Sequence, residues 1–427
     1  MLDRLFRTTP RNAGRIRIRR GLDIAVPGTP RQTVGAQIVT DTCGLMADDY
    51  PGVRPALAVS VGDRVAAGDP LFTDRRRPQI AFSAPVAGTV AQVISHGTAR
   101  AAQCMVIERD GDQTREFTLP GEAAGRDGVQ AALLESGLWP AFRTRPFGRI
   151  PNPGAVPDAL FVTAMSTDPL AADAAVVIAG YESDFAAGLK VLQRLTDGPV
   201  HVCQAPGPKL AENAVEFAGP HPAGLPGTHI HFLHPVGAGG VVWHLDYQDV
   251  ISVGRLFQTG TPWMDRVIAL AGPGVPNPEL CRVALGSSLA GITAGRIDDG
   301  DMRVISGPVL SGRAAPFLSR HHLQVSVLPE GWEAPETRPF ARPASTALAG
   351  ARGPLIPIAD FDRVMPLRLL PVPLLRALSV GDWETAARLG CLELAEEDLA
   401  LLSYVCPGRG EYGPLLRAVL DAIAGQN

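Results

Sequence analysis

The segment Val53–Gly97 sets the tightest limit on how this 427-residue chain folds. Short runs of alternating apolar residues follow one another here, separated by Gly-Asp, Ala-Gly and proline-containing turns. Alternation over a few residues is typical of a half-buried β-strand, and glycine and proline end such runs. The pattern predicts four strands, at Ala56–Val59, Pro70–Phe72, Gln79–Phe82 and Gly88–Ile94.

Two motifs flank the middle of this segment. Val61–Gly68 reads V-G-D-x-V-x-x-G, and Ser83–Val90 reads S-A-P-V-A-G-T-V. Together they resemble the biotinyl/lipoyl, or barrel-sandwich, fold. In carrier proteins of that fold, a lysine at the hairpin tip between the motifs bears the prosthetic group. Here the tip carries Arg75, Arg76 and Arg77, and arginine stays protonated and cannot form the amide bond. A carrier function is therefore excluded.

The middle of the chain changes to an alternation of apolar β-branched runs and helical patterns. This alternation is typical of an α/β layer with a parallel sheet. It predicts strands at Ala159–Thr163 and Pro199–Cys203 and a helix at Asp184–Arg194. A further helix is predicted within Asp127–Trp139 from its apolar spacing.

The segment Arg266–Ile292 reads as strand, Gly/Pro turn, strand and then a helix capped near Ser287 or Ser288. It is similar to a soluble-ligand-binding β-grasp module. From Asp360 to Ala424, apolar residues recur at i, i+3 and i+4, which predicts helices.

The fold class that follows is multidomain α/β (α+β), in six parts. They are an extension (1–14), N-terminal strands with the barrel-sandwich domain (15–115), an α/β domain (127–255), a β-grasp domain (256–335), a Pro/Gly/Ala-rich linker (336–359) and a C-terminal helical domain (360–427).

The charge and hydropathy of the chain limit the kinds of partner that it can bind. The chain has 39 basic and 43 acidic side chains, a formal net charge of -4, whereas a nucleic-acid surface needs a basic excess. No apolar run approaches the roughly 18–20 residues that cross a bilayer. The best candidates, Ala174–Ala179 and Val267–Ala271, have the length of strands. We therefore expect membrane contact only through a partner or along a surface.

The order of modules is similar to that of two electron-transfer proteins, the flavin-binding subunit of respiratory complex I and the C subunit of the Rnf complex. Longer stretches resemble one group of relatives in particular, the family of A subunits (NqrA) of the Na+-translocating NADH:quinone oxidoreductases. The resemblance covers about Arg15 to Ala424. The matching stretches are Arg15–Pro30, Gly137–Phe147, Phe161–Asp173, Phe217–Val236, Asp299–Gly312 and Gly390–Arg417.

The resemblance implies membership of a six-subunit complex that oxidises NADH, reduces ubiquinone and exports Na+. It implies that the five other subunits, B to F, carry NADH oxidation, FAD, FMN, riboflavin, the iron–sulfur centres and the ion path. This chain would then bind no cofactor and hold no catalytic residue. It would lie at the cytoplasmic face of the bacterial inner membrane as a peripheral subunit with a structural role.

Two features of the flavin-binding relatives are missing. Their glycine-rich flavin loop corresponds to Gly137–Arg149, where Trp139, Pro140, Phe142 and Phe147 fill the space instead, so FMN is not expected to bind in that mode. Their closely spaced cluster cysteines are reduced to Cys391 and Cys406, whereas a cubane cluster normally takes four thiolates, so no cluster is expected. The six cysteines contain no C-x-x-C pair and are expected to be buried thiols.

A subunit without flavin or cluster can still offer the complex a docking surface or a quinone site. A quinone head needs an apolar slot and hydrogen-bond donors at its carbonyl oxygens. Given the family resemblance, two segments, Met46–Pro55 and Phe142–Phe147, supply aromatic rings beside guanidinium groups. The candidate quinone-binding residues are Tyr50, Arg54, Phe142, Arg143, Arg145 and Phe147. The alternative is that these side chains pack the relic of the flavin cleft or contact a partner subunit.

Two clusters favour a structural interpretation. His221, His229, His231 and His234 include an H-x-H pair that would lie on one face of a strand, but no third metal ligand is close in sequence, so no metal site is predicted. The acidic run from Glu393 to Asp398 is interpreted as a helix start.

Two rival functions yield different observations. A freestanding FMN-dependent NADH dehydrogenase would be yellow, whereas we expect the purified chain to lack flavin absorbance because its loop cannot cradle the phosphate. A visible absorbance spectrum of the purified protein decides between them, and a stoichiometric flavin band would contradict our expectation. A stand-alone ligand-binding module built on the β-grasp domain would purify alone from native membranes. Co-purification with five other subunits would exclude it.

Overall fold

The computed structural model describes residues 14–95, 102–121, 124–236, 239–331 and 353–426. Most of the predicted extension (1–13) and of the predicted linker (336–352) lies outside the described residues. The described residues form strands β1 (Arg15–Arg17), β2 (Arg31–Gln37), β3 (Thr42–Met46), β4 (Pro55–Leu57), β5 (Arg64–Val65), β6 (Pro70–Asp74), β7 (Arg77–Ser83), β8 (Gly88–Ser95), β9 (Ala102–Arg109), β10 (Arg143–Arg145), β11 (Ala159–Ala164), β12 (Val200–Gln204), β13 (Val215–Ala218), β14 (Val242–Asp246), β15 (Asp265–Ala271), β16 (Glu279–Ala284), β17 (Met302–Ser306) and β18 (Gln324–Pro329).

The same residues form helices α1 (Arg126–Glu135), α2 (Ala174–Ala179), α3 (Glu182–Leu192), α4 (Pro226–Leu233), α5 (Tyr247–Thr259), α6 (Leu289–Thr293), α7 (Asp360–Val364), α8 (Pro371–Val380), α9 (Trp383–Arg388), α10 (Ala400–Val405) and α11 (Tyr412–Gln426). Short 3₁₀ helices lie at Ala47–Asp49, Trp139–Ala141, Cys391–Glu393 and Glu396–Leu399. No helix of the described part is both long and apolar enough to cross a membrane.

The barrel-sandwich domain consists of two small antiparallel sheets, ordered β3-β9-β8-β5 and β4-β6-β7. All four strands predicted from the alternating pattern overlap observed strands. Successive side chains of a strand point to opposite faces, so alternation of apolar and polar residues marks a strand with one buried and one solvent-exposed face. The hairpin tip falls between β6 and β7, where the buried carboxylate of Asp74 accepts bonds from the Arg76 N–H (3.1 Å) and Arg77 Nε (2.8 Å). The side chain of Arg77 therefore folds back onto its own hairpin, and those of Arg75 and Arg76 are exposed.

The α/β domain is built on one sheet, ordered β1-β13-β12-β11-β14-β10. All pairings in it are parallel except that of β10 with β14. Every residue of β11 is buried, and alternate residues enter two different apolar clusters, one on each face of the sheet. A strand covered on both faces reads as a continuous apolar run, as was predicted for this segment.

One short apolar run in this domain adopts a different structure from the strand its length suggested. Ala174–Ala179 forms helix α2, which begins where the Asp173 carboxylate accepts a hydrogen bond from the Ala175 N–H (2.9 Å). A run of six apolar residues fits a strand or a buried helix equally well, and here the N-cap decides.

The β-grasp domain has the predicted order of elements. Its sheet runs β17-β18-β15-β16-β2, and Ser288 caps α6 by accepting a hydrogen bond from the Gly291 N–H. The first strands of the chain do not stay within the barrel-sandwich domain, because β1 pairs with β13 and β2 pairs with β16. The predicted division at 255/256 falls inside α5, which continues to Thr259.

The C-terminal residues form helices α7–α11 around a separate apolar core, as predicted. Cys391 and Cys406 lie in that core, and Cys406 Sγ is 3.1 Å from the Tyr412 hydroxyl. All six cysteines are buried free thiols, as expected from their spacing.

Helices α3 and α5 cross with their backbones in contact. A Cβ at Gly254 would overlap the carbonyl oxygen of Asp184, and a Cβ at Gly188 would overlap that of Val250. We expect Gly254→Ala to lower the free energy of unfolding by about 1–3 kcal/mol, because the helices must separate to admit a methyl group. Gly425→Ala, in α11 with nothing within 4 Å of its Cβ, is the matched control and should be neutral or slightly stabilising. Thermal unfolding of both variants measures this, and equal melting temperatures would contradict the close crossing.

Candidate functional site

A cavity of about 740 Å³ lies at the carboxyl ends of β11 and β14. The chain leaves β11 in one direction to form β12 and β13, and β14 lies on the other side of β11. Such a switch in strand order opens the crevice where open α/β sheets bind ligands. The α/β domain contributes Thr163 and Tyr247 to the wall, and the C-terminal helices contribute Ala400.

Two helices begin beside the cavity, and each is capped by the aspartate that immediately precedes it. Asp173 caps α2, and Asp246 caps α5 by accepting a hydrogen bond from the Gln248 N–H (2.6 Å). Helix N-termini at such a crevice are where cofactor phosphates are normally held. Since the carboxyl group of Asp246 already occupies that position in α5, a phosphate would have to displace it.

Asp246 is the cap that faces the cavity. Burial, together with the nearby charge of Asp249, raises the pKa of Asp246 to about 7. The side chain therefore exchanges a proton near neutral pH, at the wall of the cavity.

Arg143 and three imidazoles make one wall rich in hydrogen-bond donors. His244, His321 and His322 all line the cavity with Arg143. Burial, with the charge of Arg313 adding to it, lowers the pKa of His322 to about 4. Burial and neighbouring arginines also hold the pKa values of His244 and His321 well below the ordinary 6.5. The imidazoles are therefore neutral at physiological pH.

A buried ion pair supports this wall from behind. The fully buried guanidinium of Arg145 lies 3.1 Å from Glu397 Oε1. Burial opposes ionisation of Glu397, but Arg143 and Arg145 together lower its pKa to about 2. Burial and the charge of Glu397 raise the pKa of Asp398 to about 7. Glu397 is thus charged, and the neighbouring Asp398 takes the proton.

The predicted residues of the segment Phe142–Phe147 divide between the cavity and the core. Arg143 lines the cavity. Phe142 is fully buried instead, with its ring 5.7 Å from that of Trp243. Arg145 lies behind the wall, and Phe147 packs against the core of the C-terminal helices.

The aromatic filling expected in place of the flavin loop is also visible in this segment. Trp139 lies fully buried with its ring 5.5 Å from Phe142 and 5.4 Å from Trp243. The indole N–H donates to the carbonyl of Pro151 (2.9 Å), which fixes the ring.

The other predicted segment reaches the cavity through different residues. Asp48, Asp49 and Pro51 line it. Tyr50 is buried with its ring 4.6 Å from Phe82 and points into the barrel-sandwich core. Arg54 is exposed and does not line the cavity.

The H-x-H pair lies on a helix, not on the strand that was predicted. His229 and His231 belong to α4, where residues two apart diverge. His229 is buried, with Nε2 3.0 Å from the Ala223 carbonyl. His231 contacts Glu393 through Nδ1 and accepts the Arg368 N–H at Nε2. Within the described ranges, no set of three or more His, Cys, Asp or Glu side chains is arranged to hold a metal ion.

The acidic run forms ion pairs with other elements as well as starting a helical turn. Glu396 accepts two hydrogen bonds from Arg417 (2.6 and 2.9 Å), and Glu397 binds Arg145. These residues therefore connect the C-terminal helices to each other and to β10 as well as starting a helical turn.

Sequence reasoning did not identify His244, His321, His322, Asp246 or Glu397 as site residues. The adjacent His321-His322 pair was a usable signal, because two neighbouring imidazoles are uncommon in a chain with nine histidines. Asp246 could have been found as a capping residue between an apolar strand and a helix.

Three family profiles match this chain. The NqrA N-terminal barrel-sandwich hybrid domain matches residues 16–110, the NqrA second alpha/beta domain residues 124–262, and the NQRA C-terminal domain residues 267–316. The chain is 47% identical to the A subunit of the Na(+)-translocating NADH-quinone reductase of Klebsiella pneumoniae strain 342, covering 96% of this chain and 99% of that protein. It is 46% identical to the corresponding A subunits of Pseudomonas aeruginosa strain UCBPP-PA14 and of Neisseria meningitidis strain Z2491, over the same shares.

Among solved structures, it is similar to the H2-reduced NAD+-reducing [NiFe]-hydrogenase at 14% identity and a TM-score of 0.35, covering 74% of this chain and 66% of that one. That likeness is too low to bear on the site.

The modules and these relatives define a subunit of an NADH-quinone reductase, an oxidoreductase complex. Within that class, the chain belongs to the NqrA family, the A subunits of the Na+-translocating NADH-quinone reductases.

Asp246→Asn tests the ionisation of the cavity cap. Between its ordinary pKa of 3.8 and about 7, the folded chain keeps a proton on Asp246 that the unfolded chain releases. Wild-type stability therefore falls through this window as pH rises, whereas an asparagine cap does not ionise. We expect the variant to be about 1–2 kcal/mol more stable than wild type at pH 8 and equal to it near pH 4.

Asp382, the exposed cap of α9, is the control, because its pKa is shifted in the opposite direction. The backbone N–H of Thr385 lowers the pKa of Asp382 by hydrogen bonding, so its charge stabilises the folded state above pH 4. Asp382→Asn should lose stability at neutral pH and none in acid. Thermal unfolding across a pH series measures both variants, and parallel profiles for Asp246→Asn and wild type would contradict the raised pKa.

Proposed function

We propose that this chain is a non-catalytic supporting subunit of the Na+-translocating NADH-quinone reductase and that its central cavity binds the head of ubiquinone. In this proposal the five other subunits, B to F, oxidise NADH, hold FAD, FMN, riboflavin and the iron–sulfur centres, and conduct Na+. This chain attaches to them peripherally at the cytoplasmic face of the membrane. The complex as a whole is the enzyme, a translocase that transfers electrons from NADH to ubiquinone.

One observation supports the proposal that the cavity binds quinone: two distant segments of the chain meet there. The two segments selected from the sequence are far apart in the chain, yet Asp48, Pro51 and Arg143 line one cavity. That cavity lies at the switch point of the sheet, where ligands bind in this class of fold.

The chemistry of the walls supports a quinone over a charged cofactor. Quinone oxygens are acceptors, and Arg143 with neutral imidazoles offers donors. Met165, Leu225 and Leu310 add apolar surface against which a flat ring can pack. The side chain of Asp246 accepts the Gln248 N–H at the start of α5, where the phosphate of FMN would otherwise bind.

Binding of a short-chain ubiquinone to the purified full-length chain tests the proposal. Arg143→Gln removes the charged donor from the cavity wall and should weaken binding about tenfold, as expected for a hydrogen bond from a charged group. Arg149→Gln is the matched control, because Arg149 belongs to the same turn but pairs with Asp421 away from the cavity (2.7 Å). Its affinity should equal that of wild type.

Two outcomes contradict the proposal. One is the absence of saturable binding to the wild type, and the other is an equal affinity of the Arg143 and Arg149 variants. Phe142→Ala and Arg145→Ala are poorer probes, since both side chains are fully buried behind the wall and their loss would first affect stability.

A further inference from the structure

His244 occupies a position on β14 that gives its ring two different surroundings. The residue is 3% exposed, and its ring lines the cavity. Its Nε2 lies 2.8 Å from Nη1 of Arg145, a residue that does not line the cavity. A guanidinium has only donors, so it must donate to Nε2. Nε2 therefore carries the lone pair, and the proton of the neutral ring is on Nδ1.

The donor that fixes this tautomer is itself held in place. Arg145 is fully buried, and its Nη2 donates to Glu397 Oε1 (3.1 Å). Strand β10, which carries Arg145, is paired with β14 in register, so the two side chains cannot slide past each other. The ring orientation is thus set by backbone pairing and by an ion pair from a third element.

The charge state of the ring follows from the same surroundings. Burial, with Arg145 and Arg143 adding to it, holds the pKa of His244 well below 6.5. Protonation at Nε2 would also place an N–H against the guanidinium N–H of Arg145. The ring therefore presents a neutral N–H donor and keeps it at physiological pH.

Arg143 stands directly beside this donor. Arg143 and His244 are paired residues of the antiparallel β10–β14 ladder, and such residues project from the same face with Cβ atoms about 5 Å apart. Both side chains line the cavity. Two donors side by side match one carbonyl oxygen, or a carbonyl and an adjacent ether oxygen, on the edge of a flat ring.

We propose that His244 donates its Nδ1–H to a carbonyl oxygen of the ligand in the cavity, and that Arg145 and Glu397 are positioning residues that fix its tautomer. This inference rests on the proposed quinone site and names the residue that sets its hydrogen-bond polarity. It assigns the cavity to flat carbonyl compounds that accept hydrogen bonds at their edge.

Asparagine and glutamine replace different nitrogens of histidine and so test the tautomer. The amide nitrogen of asparagine falls near Nδ1, whereas that of glutamine falls near Nε2. With short-chain ubiquinone and the full-length chain, His244→Asn should bind within about twofold of wild type. His244→Gln should bind about three- to tenfold more weakly, the worth of one neutral hydrogen bond.

His201 supplies the matched control. It lies on β12 with its ring 4.8 Å from Phe161 and does not line the cavity. His201→Asn and His201→Gln should both bind as wild type does.

A second measurement needs no variant and no ligand. In ¹⁵N-labelled wild-type protein, the ring nitrogen shifts of His244 should show a protonated Nδ1 and an unprotonated Nε2. In Arg145→Met, where the fixed donor is lost, the population should move towards Nε2–H. A wild-type ring protonated at Nε2 overturns the inference even if a variant fails to fold.

The outcomes separate this inference from the proposed function. Wild-type binding with equal affinities for the Asn and Gln variants overturns the role of His244 and leaves the quinone site standing. Absence of quinone binding to the wild type overturns both.

Discussion

A guanidinium with no exposed surface, that of Arg145, joins the C-terminal helices to the central sheet. Moving such a charge out of water is costly unless partners surround it, and removing one partner of a buried pair typically costs about 3–5 kcal/mol. The partners of Arg145 come from β14, through His244, and from the Glu396–Leu399 turn, through Glu397. Both partners, His244 and Glu397, line the cavity, so this contact holds two of its walls together.

The residues that follow Arg145 also dock the rest of the C-terminal domain. Arg417 of α11 donates to the carbonyl of Phe147 (2.7 Å) and pairs with Glu396, while Arg149 pairs with Asp421. The same region packs aromatic rings inward and binds helices outward. One segment of the chain therefore both fills the core of the α/β domain and docks the C-terminal helices.

Helices and strands with a clear apolar pattern in the sequence were predicted well. The errors fall on segments whose pattern is too short. Helix α3 was found because its apolar spacing extends over three turns and fixes the period. Strand β11 was found as a continuous apolar run within an alternation of strand and helix patterns. The pair His229 and His231 was assigned to a strand because two residues do not define a period, although Pro226 at the first turn signals a helix. The predicted quinone-binding residues coincide with the cavity only in part, since Arg143 lines it and Phe142 beside it does not.

The sequence by itself determined the order of modules, the missing carrier lysine, the missing cluster cysteines and the family. These properties depend on side-chain identity and on spacing over a few residues, which any conformation preserves. Only the tertiary structure decided that β1 and β2 join sheets formed far downstream, that His244 is neutral with its proton on Nδ1, and that Asp246 titrates near neutrality. Pairing partners, tautomers and pKa values are set by burial and by charges that come from distant segments, and no short pattern contains that information.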